Sequence, residues 1–437
     1  MLKLGTMEKF GPYNIPRGQS LKTEFMNQES IMDLLKSQRL NPKAEQDRNK
    51  LIISEKVIRC EDNDTLIVGM GNEMKKDDQI HLVVDAVHLY LQTESKKKNL
   101  KLIFGKRTDK DEQAEVENAV ALMVKSIKIE DMNIAIEVDG KKVNFNTKSF
   151  DITPTGKIER WMEYLSQKVE IPEFAKELEK AINNDLFKWY RSATGQKWSG
   201  RVGGLEVCSM DLGCQKSELK VGRRGKNDDG PARKVFLEIL NKENFKEGIF
   251  IHSQLNKVAS VIRAIAESRK NGALSQFQRE HLLESQVLSG QLKISSKSGV
   301  LKHALGDQPF QFPTLWGPNG SPRYVDALMQ CGNTPYVVEL KESSGNSRGQ
   351  GFRHAITQAV LYREFIRRTR KVHSWFEKRG LNPVECSAIV AFPEFTNNNE
   401  IVNKRLLDQI NKVGNAFDVE IVEIKDFTPK NNVRSST

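Results

Sequence analysis

Apolar residues along the chain fall into runs whose spacing changes from one segment to the next. Residues 1–48 are polar and nearly aperiodic, which predicts a flexible N-terminal arm with one short helix around Ile31–Leu35. From Leu51 the runs LIISEKVIRC, TLIVGM, HLVVDAVHLYL and LKLIF alternate or are short and apolar, the pattern of strands. Between Glu112 and Ile127, the residues Val116, Ala119, Val120, Met123, Val124 and Ile127 make one helical stripe. The segment IAIEVDGKKVNF reads as a hairpin, because Asp139-Gly140 suits a two-residue type I′ turn. Together these predict a strand-rich α+β domain over residues 49–150.

Residues 151–271 read as a helical, glycine-rich middle region. Helices are expected over Lys157–Lys168 and Pro172–Tyr190, the second with proline near its first turn. Gly195 to Gly230 is rich in glycine and charge and reads as a hairpin or a disordered loop. Helices resume over Ala232–Asn241 and Ser253–Lys270, and a boundary falls near Asn271-Gly272. In residues 272–437, Ser275 and Gln278 make a capping box ahead of a helix through Phe277, Leu283, Val287 and Leu288. Strand-like QLKIS, RYVDALMQC and YVVELK follow, the last two joined by the turn GNTP. After the loop ESSGNSRGQG come a long helix from Arg353 to Arg379, the strand SAIVAF, a helix over Glu400–Val413 and the strand VEIVEI. The order α-β-β-β-α-β, with one more helix and strand, predicts a mixed sheet flanked by helices. The fold class is therefore α/β, as a multi-domain α+β chain with strand-rich and helical N-terminal domains.

Composition narrows the function. The 437 residues carry a net charge of +11, with 29% charged and 38% hydrophobic residues. A basic surplus of this size suits a polyanionic partner such as DNA. The five cysteines include no C-x-x-C pair and read as reduced thiols rather than a zinc site. There is no G-x-x-x-x-G-K-[ST], and Gly69-Met70-Gly71 lacks the third glycine of a dinucleotide fingerprint, so it reads as a turn. No run reaches the length of a membrane helix, and the first residues lack the apolar core of a signal peptide. A cytoplasmic location is expected.

The candidate chemistry sits in the hairpin. Glu339 and Lys341 are two residues apart on a strand, so they share a face. Asp326 lies on the opposite arm. Two carboxylates at the mouth of a hairpin suit a divalent cation, with the Leu340 carbonyl as a third oxygen ligand. Mg²⁺ prefers such ligands and keeps several waters, and Mn²⁺ is expected to substitute. A water of lowered pKa would then attack phosphorus, and Lys341 would orient it or neutralise the transition state. Glu73-Met74-Lys75, Glu218-Leu219-Lys220 and Glu423-Ile424-Lys425 repeat the E-x-K pattern without an aspartate across a hairpin and a following helix. On that helix Arg363, Arg367, Arg368, Arg370 and Lys371 cluster, with Arg348 and Arg353 just before. Arg348, Arg353, Arg363 and Arg367 are the candidate phosphate contacts. His354 and His373 read as surface residues, and Trp375 and Phe376 as core.

Asp326 followed by Glu339-Leu340-Lys341 resembles the PD-(D/E)xK nuclease superfamily, whose restriction-endonuclease-like core is also α-β-β-β-α-β. The proline before the aspartate is replaced here by Val325. The resemblance implies a further acid on the preceding helix, Glu280 or Glu284, and a role for Gln358 and Tyr362 as a Q-x-x-x-Y pair that orders the site. The stretch QREHLLESQVL with the hairpin and Q-x-x-x-Y is similar to the nuclease domain of the Shedu antiphage defence family. This implies a metal-dependent DNA endonuclease acting on phage DNA, homo-oligomeric, with N-terminal domains that regulate it. A restriction or repair endonuclease, and a catalytically silent DNA-binding protein, are the alternatives.

Overall fold

The computed structural model describes residues 26–45, 57–93, 97–143, 156–167, 170–191, 197–211, 219–221, 238, 240–246, 248–271, 276–304, 311–316, 320, 322–342, 348–394 and 400–427. The predicted capping residue Ser275 and most of the helix expected over 232–241 lie outside them. The chain is mixed α/β, and its described residues form two large mixed sheets, one five-stranded antiparallel sheet and two antiparallel strand pairs. Among the described residues, no helix is long and apolar enough to cross a membrane.

The first sheet runs in chain order through β1 (Lys43–Glu45), β2 (Val57–Asp62), β3 (Thr65–Met70), β4 (Asn99–Phe104), β5 (Asn133–Val138) and β6 (Lys141–Lys142). Its centre, β3-β4-β5, is parallel, and α2 (Lys76–Gln92) and α3 (Lys110–Lys125) make the crossovers. Asp109 caps α3 by accepting from the Asp111 and Glu112 amides at 2.8 and 2.9 Å. Asp139 and Gly140 both have positive φ, 47° and 70°, as the type I′ turn between β5 and β6 requires.

Two expectations fail in this unit. HLVVDAVHLYL is helical, the body of α2, not a strand. Gln79 to Leu89 are buried without a break, so α2 shows no polar face to give it a helical period. The short helix expected around Ile31–Leu35 forms, but residues 26–45 are packed rather than a flexible arm. Asn27 caps α1 (Gln28–Ser37), accepting from Ser30 N–H at 2.8 Å. Ile31 and Leu35, one turn apart, pack on Ile58, Cys60, Ile67 and Ile103, covering the sheet face opposite α2.

The middle unit has α4 (Lys157–Ser166) and α5 (Glu173–Ile182), then a five-stranded antiparallel meander. Its strands are β7 (Phe187–Arg191), β8 (Lys197–Val202), β9 (Leu205–Asp211), β10 (Leu219–Val221) and β11 (Gly248–Phe250). The helix expected to reach Tyr190 stops at Asn183, whose left-handed backbone (φ 45°) ends α5. Half of the glycine-rich stretch is thus a sheet hairpin, turned by Gly203-Gly204, both at positive φ. α6 (Leu255–Asn271) packs with α5 over this sheet.

The last unit opens with α7 (Gln276–Leu288) and a small hairpin, β12 (Ser295–Ser296) and β13 (Gly299–Val300), which is all that forms near the expected strand QLKIS. Next come β14 (Lys302–His303), β15 (Phe312–Thr314), β16 (Arg323–Val325), β17 (Ala327–Cys331) and β18 (Thr334–Leu340). They are followed by α8 (Arg348–Arg368), α9 (Arg370–Glu377), β19 (Ser387–Pro393), α10 (Glu400–Ala416) and β20 (Val419–Ile424). The sheet order is β14-β17-β18-β19-β20, antiparallel up to β18 and parallel beyond. The single long helix expected over Arg353–Arg379 breaks at Thr369 into α8 and α9.

Residues of β18 alternate between two cores. Val337 faces α8, whereas Tyr336, Val338 and Leu340 face α7. α2 and α3 pack on α8, and α10 packs on α2, so the first and last sheets enclose a double layer of helices. One hydrophobic cluster runs from Leu66 and Leu100 through Val83 and Val87 to Ile356, Val360 and Val390. α4 adds Trp161 to it.

Candidate active site

β17 and β18 pair with Ala327 opposite Val338. Continuing that register by one step places Asp326 opposite Glu339. Asp326 sits where the chain breaks between β16 and β17, and its Oδ2 accepts from Leu340 N–H at 2.8 Å. Lys341 N–H instead donates to Ala391 of β19 at 3.0 Å. Amides alternate in direction along a strand, so the Leu340 carbonyl points to the Asp326 edge. The Lys341 ammonium donates to Glu280 Oε1 of α7 at 2.9 Å and lies 3.3 Å from Glu339 Oε1. Glu284, one turn further along α7, is buried and accepts from Gln311 Nε2 at 2.8 Å, with Arg201 Nη1 of β8 3.9 Å away. The sequence-predicted Asp326, Glu339, Lys341 and Glu280 therefore converge.

The electrostatics are those of a site short of positive charge. Burial pushes the Asp326 carboxyl up to about 7; Lys341 opposes the rise, while Glu284 and Glu280 add to it. Burial also holds Glu339 well above the usual carboxylate range, with Asp326 the next cause. For Lys341, burial works to lower the ammonium, but Glu339, Asp326 and Glu280 outweigh it and raise it. Glu339 Oε2 is buried with no hydrogen-bond partner among the described residues. An orphaned carboxylate oxygen beside three further acids and one ammonium fits a divalent cation held by oxygen ligands.

α8 closes the other side. A Cβ on Gly351 would lie 3.9 Å from Lys341 Cδ. Gln358 donates to the Tyr362 hydroxyl at 3.2 Å. Tyr362 is buried, and burial, then Glu339 and Asp326, push its phenol well above its ordinary value. The Q-x-x-x-Y pair thus lines the helix face turned towards the carboxylates.

The candidate phosphate contacts fare differently. Arg353 is fully buried, its Nε 2.8 Å from Asp85 of α2. Arg363 is also buried and donates to the carbonyls of Phe417 and Asp418 at 3.0 and 2.6 Å. Arg367 donates to Cys386 O at 2.7 Å. These three are internal clamps of the helix layer, and the first two are closed to any phosphate. The Arg348 side chain lies outside the described residues. His354 is not a surface residue either: it stacks on His81 of α2, with ring centroids 3.9 Å apart. Burial, then Arg353 and Lys341, lower the His354 imidazole to about 4. His373 sits against the Ile366 and Arg367 carbonyls at the end of α8. Trp375 and Phe376 are core, as expected.

Sequence reasoning missed Arg201 and Gln311, which reach Glu284 from other parts of the chain, and the pair Asp78 and His81. The signal for that pair is a D-x-x-H spacing, which shares a face only on a helix. Reading the run as a strand hid it. In comparisons with known proteins, no family model, no curated protein and no solved structure matches the chain.

Proposed function

We propose that the chain is a metal-dependent DNA endonuclease of the PD-(D/E)xK kind, and that residues 272–437 form its restriction-endonuclease-like nuclease domain. The observation that carries this reading is the convergence of Asp326, Glu339, Glu280 and Lys341 at the end of β18, with Glu339 Oε2 buried and unpartnered among the described residues. The order α7, β14, β17, β18, α8, β19 supports it, since it follows the superfamily's α-β-β-β-α-β core.

Asp326, Glu339, Glu280 and the Leu340 carbonyl would hold Mg²⁺ or Mn²⁺. When bound, such a cation supplies charge neutralisation at phosphate and lowers the pKa of a coordinated water. The chain's own residues do the positioning. Leu340 N–H fixes the Asp326 carboxylate, and Glu280 and Glu339 aim the Lys341 ammonium. That ammonium stays charged, ready to stabilise charge developing on the phosphoryl oxygens. Gln358 and Tyr362 brace the wall opposite. DNA as substrate rests on the net charge of +11 and on the resemblance. An antiphage role, a homo-oligomeric state, regulation by the first 271 residues and a cytoplasmic location rest on the resemblance and sequence alone.

The test is cleavage of linear and supercoiled DNA with Mg²⁺ or Mn²⁺ by the full chain. Cleavage by wild type that drops by about 10²–10³-fold or more in Lys341→Ala supports the reading. Inert wild type with either metal removes it and leaves a silent DNA-binding protein. Cutting confined to defined sequences favours the restriction reading over a defence nuclease of low sequence preference.

A further inference from the structure

A second cluster of ligand-type side chains lies apart from the carboxylates, where the first and last units meet. Asp78 and His81 stand three residues apart on α2, and His354 faces them from α8. One donor atom from each lies within 4.8 Å of the others. His81 is 2% exposed. Its Nδ1, and Nε2 of His354, are buried with no hydrogen-bond partner among the described residues. Two neutral-type nitrogen donors left unpaired beside a carboxylate are unusual, because buried polar atoms are nearly always satisfied.

The charges around the cluster leave room for a cation. Asp77 and Glu115 face Arg323, and Glu115 also takes Lys76 at 2.7 Å. Asp85 holds Arg353 Nε at 2.8 Å, and Arg353 Nη1 is 3.7 Å from Asp78 Oδ1. Four carboxylates, Asp77, Asp78, Asp85 and Glu115, thus meet three cations in direct ion pairs, Lys76, Arg323 and Arg353; Lys341, which also bears on His354, is paired with Glu280 and Glu339.

We propose that Asp78, His81 and His354 form a second metal site that takes a zinc-type divalent cation and fastens α2 to α8. Two imidazoles and one carboxylate are a donor set for Zn²⁺ or Co²⁺, unlike the all-oxygen set around Asp326. Donors around a tetrahedral ion with bonds of about 2.0–2.1 Å stand about 3.4 Å apart. The three side chains therefore close slightly on binding, the stacked rings turning to direct both nitrogens at the ion, and a fourth position stays open. The site bridges the first unit to the helix that carries Gln358 and Tyr362. It does not depend on the nuclease reading.

The full chain, stripped with chelator, is titrated with Zn²⁺ by calorimetry and with Co²⁺ by visible absorption. Glu339→Gln removes the carboxylate site as a competitor. The expected result is one equivalent bound in Glu339→Gln, with a nitrogen-ligated Co²⁺ spectrum. Adding Asp78→Asn or His354→Gln weakens it by roughly 10–100-fold or more. Zn²⁺ raises Tm in the first protein and not in the two others. Melting of the variants in chelator shows that they are folded, and Asp78→Asn keeps the side-chain shape in case His354→Gln does not fold. Absence of Zn²⁺ and Co²⁺ binding in Glu339→Gln overturns the proposal, as does binding in folded Asp78→Asn equal to that of its parent.

Discussion

Asp326 and Glu339 face each other across the end of a strand pair, both in low dielectric, with Lys341 as their nearest cation. A carboxyl whose folded value is about 7 against an ordinary 3.8 binds more protons folded than unfolded between those values. Its stabilising contribution is complete below about pH 3.8 and is lost as pH rises through about 7. In chelator, Asp326→Asn is therefore expected to melt above wild type, by a margin that widens from pH 5 to pH 8, at about 1 °C per kcal/mol relieved in a chain of 437 residues. Mg²⁺ should shrink the gap by stabilising wild type alone. A gap that is constant with pH would count against the raised carboxyl. This residue pair was legible in the sequence because a strand's period of two fixes which side chains are neighbours. Glu284 was legible only as an alternative to Glu280, since its partners Gln311 and Arg201 come from distant segments.

At the scale of elements, α8 is the helix whose chemistry the sequence misrepresents most. Its arginines read as phosphate contacts, which must reach solvent, but a helix surface is solvated only if nothing packs on it. Here α2, α3 and α10 do, and Arg353 spends its charge on Asp85. Arg353→Ala would leave Asp85 without the guanidinium in a dry interface, at a cost of about 3–5 kcal/mol. Urea unfolding should show that loss, while DNA affinity of the folded fraction stays at the wild-type level. A variant that kept its stability and lost DNA affinity would restore the phosphate-contact reading. The hairpin turns at Asp139-Gly140 and after Cys331 and most of the helices were readable, because each carries its own period or turn chemistry. α2 was not: a helix covered on every side has an apolar run like that of a buried strand, and only its length of 17 residues separates the two.

Across the whole molecule, the middle unit keeps a core of its own, from Phe174 to Ala266, whereas the first and last units share one. The cluster that contains Val390 and Ile356 also contains Val83 and Leu66. A fragment of residues 272–437 would present the bare faces of α8 and α10 to water, a patch well above the few hundred Å² that soluble monomers tolerate. Expressed alone, it is expected to be insoluble or to aggregate, and to recover when co-expressed with residues 1–271. A soluble, monomeric fragment with a sharp melt would show that the cores separate. The continuous burial of Gln79 to Leu89 also sets a clock. A helix with no wet face has no local route to exchange its amide protons, so α2 can exchange only when the two sheets part. In deuterated water its amides should be among the last to exchange, on the same timescale as those of Ile356 to Val360 in α8. The slowest protons would then report the opening of the whole protein rather than of either half.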